Sequence, residues 1–371
     1  NANLQQIANI NAFLDLYDPK LRKSMFQTYS FYVGLIKNLD DPVRYLSINF
    51  NNHKPICLPY EPSKKLVEVD LENIVSKSSS THPIVIPFKI REFDDNGEPI
   101  DNMPTDIKLL FKKESIMNDV TVLNLMILSD FILSENLGVN FPTVIYSAMP
   151  LTANSGMIQI IEQAKTIHEI TKEGKSIFQY IVAKNEECCG KDILDRYMYS
   201  LVSYTLHSYF FGLGDRHLQN IMITDDGIIF HIDFGFILGK DAHFLSATNI
   251  KLNSNMLDVI GGSGGDRYKK YLELATNGVL ILRKYFNTFF ILLTQETNCS
   301  IKHVEKFVLS RFQPRQSDKE IEQELVSIID QSCDTYKEYI RDFLHHHHQE
   351  KLLNKAFRTI FGTIGRLGNS H

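Results

Sequence analysis

Two short stretches of the 371-residue chain carry side chains whose types and spacing suit chemistry: Gly214-Asp215-Arg216-His217-Leu218-Gln219-Asn220 and His231-Ile232-Asp233-Phe234-Gly235. Between them Ile221-Met222-Ile223 and Ile228 to Ile232 predict two antiparallel strands, joined by Thr224-Asp225-Asp226-Gly227. Folding that hairpin brings Asn220 and Asp233 together at its open end. A carboxylate beside an amide oxygen offers two hard oxygen ligands with room for water and phosphate, which is how Mg²⁺ is held where nucleotides react. Asp215 and His217 lie just upstream of the same end. An imidazole titrates near neutrality, so His217 could take a proton from an attacking hydroxyl while Asp215 orients it or the nucleophile. Taken singly, each residue has an ordinary reading: Asp215 caps a turn, His217 packs in a core, Asp-Asp-Gly is only a hairpin. Asp-Arg-His, Asn and Asp-Phe-Gly together, in this order around a predicted hairpin, favour chemistry.

The elements that must position these residues follow from hydrophobic periodicity. Helical spacing runs from Ile193 to Phe211, ends just before the first stretch, and returns beyond residue 266. Residues 7–39 carry Ile10, Phe13, Leu14, Tyr17, Phe31, Leu35 and Leu39 at helical spacing. Between residues 55 and 161 the texture is β-type, with runs at Ile84 to Phe88, Ile107 to Phe111, Val144 to Tyr146 and Met157 to Ile161, interrupted by a helical pattern from Val120 to Leu133. The order predicts an α+β chain: a helical preface over 1–54, a β-rich lobe over 55–161, an α-rich lobe over 162–345 and a tail over 346–371, with a cleft expected between the lobes.

Composition is that of an ordinary globular chain, 43% hydrophobic and 22% charged, which excludes disordered, collagen-like and coiled-coil classes. With 39 basic against 44 acidic side chains the net charge is -5, so no nucleic-acid partner is expected and any anionic partner must meet a local basic cluster. Cys57, Cys188, Cys189, Cys299 and Cys333 are scattered without a CxxC, which predicts reduced thiols in a cytosolic protein. The longest purely apolar stretches, such as Phe289 to Leu293, fall far short of the roughly 20 residues of a spanning helix, so no membrane crossing is expected. Asn1-Ala2-Asn3-Leu4 lacks the pattern of a secretory signal, and the missing initial Met suggests a processed or excised chain. Low complexity is confined to Ser78-Ser79-Ser80 and His345 to His348; the histidines could bind metal or sense pH, and a solvated insertion is the plainer reading.

Gly214 to Asn220 followed by His231 to Gly235 closely resembles the catalytic and metal-binding loops of phosphatidylinositol 3-/4-kinases and their protein-kinase relatives. Asp-Arg-His reverses the His-Arg-Asp of ordinary protein kinases. The resemblance continues in Leu58-Pro59-Tyr60-Glu61-Pro62, which looks like the start of the lipid-kinase domain, in Gly156 to Ile161, like the hinge strand, and in Gly261-Gly262, like the end of the activation segment. It implies a two-lobed kinase-like fold with a β-rich N-lobe, an α-rich C-lobe and a helical N-terminal preface. It also implies that Asn220 and Asp233 hold Mg²⁺, with Mn²⁺ as an alternative ion. Asp215 and His217 would serve the acceptor hydroxyl, the base being either. Lys112 would contact the phosphates of ATP, with Lys113 its immediate competitor, and Asp119 would open the next helix facing that lysine. Where the family reads Asp-Asp-Leu-Arg-Gln-Asp, this chain reads Lys113 to Asp119, and its connection from the lysine is one residue shorter. Val75 to Ser80 occupies the place of the phosphate loop, so Ser76 and Ser78 would cradle phosphate oxygens. Ile161 would offer backbone groups to adenine, with Ile160 and Ile232 as apolar walls.

Acceptor choice would fall to the activation segment, from Phe236 to about Gly261. It carries Lys240 early and Lys251 later, and so few basic residues favour unmodified phosphatidylinositol over phosphorylated headgroups. Leu238-Gly239-Lys240-Asp241 looks most like the class III, vacuolar-sorting 3-kinase, without that group's proline-rich continuation. The expected activity is ATP-dependent transfer to the 3-hydroxyl of phosphatidylinositol. A 4-kinase is the runner-up, and a Ser/Thr protein kinase or a silent membrane scaffold comes after it. From Leu353, residues Phe357, Ile360, Phe361, Ile364 and Leu367 fall on one helical face with Lys355, Arg358 and Arg366 opposite, the pattern of an interfacial helix; a stripe docked on the catalytic lobe is the alternative. Expected partners are phosphatidylinositol in membranes and a regulatory subunit. The expected location is the cytoplasm, peripheral on cytosolic membrane faces and endosomal for a class III-like enzyme.

Overall fold

The computed structural model describes residues 19–50, 56–77, 82–94, 96–100, 103–185, 190–240, 250–262, 265–297 and 299–332. The start of the helical preface, Ser78, residues 241–249 of the activation segment, His345 to His348 and the pattern at 353–367 lie outside them. The chain divides into two compact units. One holds the residues up to Val120 with Ile145–Glu162, the other Thr121–Val144 with the residues from Gln163 on. One is rich in strands and the other in helices, the α+β layout of a two-lobed, kinase-like fold. Thr121–Val144 group with the helix-rich unit although chain order sets them among the strands.

The strand-rich unit is built on an antiparallel sheet of seven strands: β1 (Ile56–Leu58), β2 (Glu61–Val69), β3 (Val75–Ser76), β4 (Ile84–Glu92), β5 (Thr105–Lys112), β6 (Ala148–Thr152) and β7 (Ser155–Gln159). Their order is β1-β2-β4-β5-β7-β6, with β3 pairing β4. Two helices, α1 (Pro19–Lys37) and α2 (Pro42–Asn49), close one face. Asp41 caps α2 by accepting from the Arg44 N–H at 3.1 Å, and Pro42 sits at the first helical position, where no N–H is needed. Alternation along β5 buries Ile107, Leu109 and Phe111 with Tyr32 and Leu35 of α1, and it therefore turns Lys112 to the opposite face. Burial of each such side chain stabilises by about 1.5–3 kcal/mol.

The strand expected at Val144 to Tyr146 does not form; pairing starts only at Ala148, opposite Ile158. The physical reason is that Thr143, just before the expected strand, donates its hydroxyl to Asp130, and Val144 still belongs to the helix-rich unit.

In that unit a small antiparallel sheet runs β10-β9-β8, from β8 (Ala164–Thr166), β9 (Ile221–Thr224) and β10 (Ile229–His231). Around it are α3 (Met117–Leu137, whose first turn belongs to the strand-rich unit), α4 (Ile167–Lys172), α5 (Ile177–Lys184), α6 (Gly190–Phe211), α7 (Ser254–Asp258), α8 (Asp266–Leu282), α9 (Phe286–Glu296), α10 (Ile301–Phe312) and α11 (Asp318–Ser332). The second half of α6 is buried on all sides. Its hydroxyls are satisfied within the helix, Thr205 donating to the Leu201 carbonyl and Ser208 to that of Tyr204, both at 2.8 Å. Helix α8 approaches so closely that a Cβ on Gly278 would lie 2.5 Å from Leu206. By length and composition α3 could cross a membrane. Its buried Asp130, which accepts from Ser203 of α6 at 2.9 Å, marks it instead as a core helix.

Candidate active site

The predicted hairpin forms, with Ile221 facing His231 and Ile223 facing Ile229. Gly227, at φ +85°, and the Thr224 hydroxyl, which accepts the Ile228 N–H at 2.8 Å, shape the turn. At the open end the Ile232 N–H donates to the Asn220 carbonyl at 3.1 Å, so Asn220 and Asp233 emerge side by side from paired backbone.

Upstream, the chain leaves α6 through Gly212, at φ +55°, and runs against the residues that follow Phe234-Gly235. Gly214 N–H donates to the Phe236 carbonyl at 2.9 Å, Leu238 N–H to Phe211 at 2.8 Å and Gly239 N–H to Gly212 at 3.0 Å. Glycine is required here by proximity as well as by φ: a Cβ on Gly214 would lie 2.1 Å from the Lys240 carbonyl oxygen. Asp215 and Asp233 both adopt left-handed backbone, at φ +53° and +62°. Asp and Asn tolerate that conformation best among residues with a Cβ.

Arg216, to which the sequence reading gave no task, braces the site. Its Nε donates to the Gly214 carbonyl at 2.7 Å and its Nη1 to that of Ile232 at 2.8 Å, with a longer contact of 3.4 Å to Asn220. Its Nη2 donates to the Asp233 carbonyl. One planar guanidinium thus joins the loop bearing Asp215 to the strand end bearing Asp233.

Asn220 is buried, and its Nδ2 donates to the Asp215 carbonyl at 3.0 Å, which leaves Oδ1 as the amide atom available to a hard cation. His217 is exposed, its Nε2 3.9 Å from Asp215 Oδ2, and its Nδ1 accepts the Gln219 N–H at 3.3 Å. His231 is buried against Tyr204. Burial, aided by the Arg216 charge and by His207 and opposed by a bond to the Tyr204 carbonyl, holds its pKa well below the usual range, so the ring is neutral.

Within the strand-rich unit, Lys112 is buried at the end of β5 and pairs with Glu114 at 3.1 Å. Lys113 turns outward to Asp40 at 2.9 Å. Asp119 is buried in the first turn of α3. Glu114 was missed as a partner of Lys112, because only the fold brings the shortened run after β5 back onto the lysine. Ser76 is exposed on β3. Ile160, half-buried, continues β7 through its N–H to the Lys108 carbonyl at 2.9 Å, and Ile161 follows it, also half-buried. Ile232 is half-buried beside Asp233. Lys240 is exposed with its Nζ 3.3 Å from Cys299 Sγ, and exposed Lys251 gives its carbonyl to the Tyr204 hydroxyl at 2.7 Å. Ordering of Asp215, His217, Asn220 and Asp233 occurs within one unit, and of Lys112, Asp119, Ser76, Ile160 and Ile161 within the other.

The family model described as phosphatidylinositol 3- and 4-kinase matches residues 106–301. The chain is similar to the phosphatidylinositol 3-kinase catalytic subunit type 3 of Caenorhabditis elegans, 26% identical over 80% of this chain and 34% of that protein. It is similar also to the probable phosphatidylinositol 4-kinase STT4 homolog of Encephalitozoon cuniculi, 28% identical over 78% of this chain and 21% of that protein. With phosphatidylinositol 4-kinase beta of Xenopus tropicalis it shares 32% identity over 38% of this chain and 18% of that protein. The chain therefore spans about a third or less of the length of these relatives. The family match covers more than half of the chain and takes in Lys112, Asp215, His217, Asn220 and Asp233, and the chain belongs to the phosphatidylinositol 3- and 4-kinase family.

Proposed function

We propose that the chain is the catalytic part of a lipid kinase that transfers the γ-phosphate of ATP to the 3-hydroxyl of phosphatidylinositol. The observation that carries this reading is the Arg216-braced junction, which sets Asn220, Asp233, Asp215 and His217 at one end of one hairpin. Asn220 Oδ1 and the Asp233 carboxylate are hard oxygen donors and fit Mg²⁺, or Mn²⁺ as the alternative. Among the described residues no cluster of three His, Cys, Asp or Glu offers a softer or all-carboxylate site. Bound there, the ion would neutralise charge on the ATP phosphates, and positioning with charge neutralisation is most of what phosphoryl transfer needs. With Nδ1 of His217 accepting from Gln219, the neutral ring carries its proton on Nε2. In that tautomer Asp215 is the group ready to take the proton of the acceptor hydroxyl, and His217 is a donor towards the phosphate.

Lys112 is the phosphate-contacting lysine in this reading. Lys112→Met should lower kcat/KM for ATP by about 10²-fold, through loss of a charge aimed at the phosphates. Lys113→Met, which removes an exposed ion pair with Asp40, should leave it within about twofold. Steady-state rates at varied ATP check both, and equal losses would reassign the lysine.

The 3-hydroxyl is supported by the sparsely basic segment around Lys240 and Lys251 and by the likeness of Leu238 to Asp241 to class III 3-kinases. The 4-kinases among the relatives favour the second reading, the 4-hydroxyl. Product analysis with labelled ATP and phosphatidylinositol vesicles separates the two. The expected product is phosphatidylinositol 3-phosphate, 4-phosphate would replace the regiochemistry, and no lipid product would sink the kinase reading. A substrate held in membranes makes the protein a peripheral visitor to their cytosolic faces, endosomal for the 3-phosphate. The interfacial pattern over 353–367 supports that location.

A further inference from the structure

His231 opens the His231-Ile232-Asp233-Phe234-Gly235 stretch, yet the proposed reaction gives it no task. It ends β10 with a side chain 3% exposed, its ring stacked on that of Tyr204 at 3.9 Å and 16°. His231 Nε2 lies 2.9 Å from Ser208 Oγ and 3.3 Å from the Tyr204 carbonyl oxygen. The Ser208 hydroxyl donates its own proton to that same Tyr204 carbonyl, at 2.8 Å. Ser208 Oγ can therefore only accept from the ring, so His231 Nε2 carries the ring proton and Nδ1, which has no hydrogen-bond partner among the described residues, is the bare nitrogen. Ser208 and Tyr204 are one turn apart on the buried part of α6. The next peptide is Ile232, whose N–H holds Asn220 and whose carbonyl takes Arg216. The strand end is thus gripped from two sides, by Arg216 from the loop and by His231 from the helix.

We propose that His231 is a positioning residue for divalent-metal binding, holding the Asp233-bearing strand end on α6 through its Nε2–H bond to Ser208. This rests on the metal and ATP roles given above to Asn220 and Asp233. Hydrogen-bonding partners behind metal ligands commonly change metal affinity by about 10–100-fold when removed.

The test measures AMP-PNP binding by calorimetry at varied Mg²⁺, and lipid product at varied Mg²⁺, for the wild type, His231→Leu, His231→Gln, Ser208→Ala and the Leu/Ala double variant. Leucine fills the space without a donor, whereas glutamine can present an N–H to Ser208. His231→Leu and Ser208→Ala should each raise the Mg²⁺ needed for half-maximal nucleotide binding by about tenfold. Metal-free AMP-PNP affinity should stay near that of the wild type, His231→Gln should remain within about threefold, and the double variant should be no worse than His231→Leu. Unchanged Mg²⁺ dependence in His231→Leu, an equal loss in His231→Gln, or additive losses in the double variant would overturn the proposal. If His231→Leu melts far below the wild type, Ser208→Ala, which removes the acceptor for His231 together with the hydroxyl's own bond to the Tyr204 carbonyl within α6, decides by the same criterion. A wild type that binds Mg²⁺ with AMP-PNP but makes no lipid product defeats the lipid-kinase reading alone, and calorimetry still decides for His231. A wild type with no Mg²⁺-dependent nucleotide binding overturns both.

Discussion

Asp233→Asn should abolish lipid product while leaving the fold almost untouched. Asp233 is exposed at the end of the paired hairpin, its Oδ1 accepts the Gly235 N–H at 3.3 Å, and its backbone is left-handed at φ +62°. Asparagine keeps the acceptor for Gly235 and tolerates that backbone, so the substitution removes the charge and little else. Loss of a charged metal ligand from a phosphoryl-transfer site should lower kcat by about 10³-fold or more. Asp233→Ala should lose as much activity and, in addition, about 1 kcal/mol of stability, because alanine pays for left-handed backbone that Asp and Asn accept. Product formation with labelled ATP and thermal melting of both variants measure the two effects separately. If Asp233→Asn retained a tenth of the wild-type kcat, Asp233 could not be a metal ligand.

Arg216→Lys should be nearly as damaging although it preserves charge. The guanidinium reaches the carbonyls of Gly214, Ile232 and Asp233 at once, and a lysine ammonium, a point charge on a flexible stem, cannot span three acceptors set by a planar fork. The acceptors left unbonded should lower stability by about 1–3 kcal/mol. The larger effect should be on rate, because the loop bearing Asp215 is then free to drift from the strand end bearing Asp233. A misplacement of about 1 Å typically costs about 10²-fold in kcat. The KM for ATP should change much less, since Lys112 lies in the other unit. Steady-state kinetics separate kcat from KM, and a variant impaired only in KM would contradict the brace.

The parts of the site legible in the sequence were those governed by local pattern. Apolar runs on either side of Thr224 to Gly227 placed the hairpin, and with it the meeting of Asn220 and Asp233 at its open end. The sequence left Lys113 a competitor of Lys112; in the fold, Lys112 is buried at the end of β5 and Lys113 pairs with exposed Asp40. What escaped depends on the path the backbone takes and not on local hydrophobic pattern. Three of the four carbonyls around Arg216 come from Asn220, Ile232 and Asp233, and no spacing rule announces where a guanidinium will find backbone oxygens. The pairing of Lys112 with Glu114 turns on the path of a shortened run, and the failed strand at Val144 to Tyr146 turns on Thr143 being held by Asp130. Hydrophobic pattern alone cannot tell a β-type run from irregular chain that must first leave one unit before it joins the sheet of the other.

The bonds from Phe211, Gly212 and Gly214 to Leu238, Gly239 and Phe236 are main chain to main chain, and beyond residue 249 the carbonyls of Ile250 and Lys251 are held by Ser332, at 3.0 Å, and Tyr204. Residues 241–249 are therefore bracketed by fastenings that do not read the side chains between them. Under the proposed role of this segment in acceptor choice, a substitution within 241–249 would leave every one of these flanking bonds in place, so a change of headgroup preference could be tested there without unfastening the stretches that carry Asp215 and Asp233.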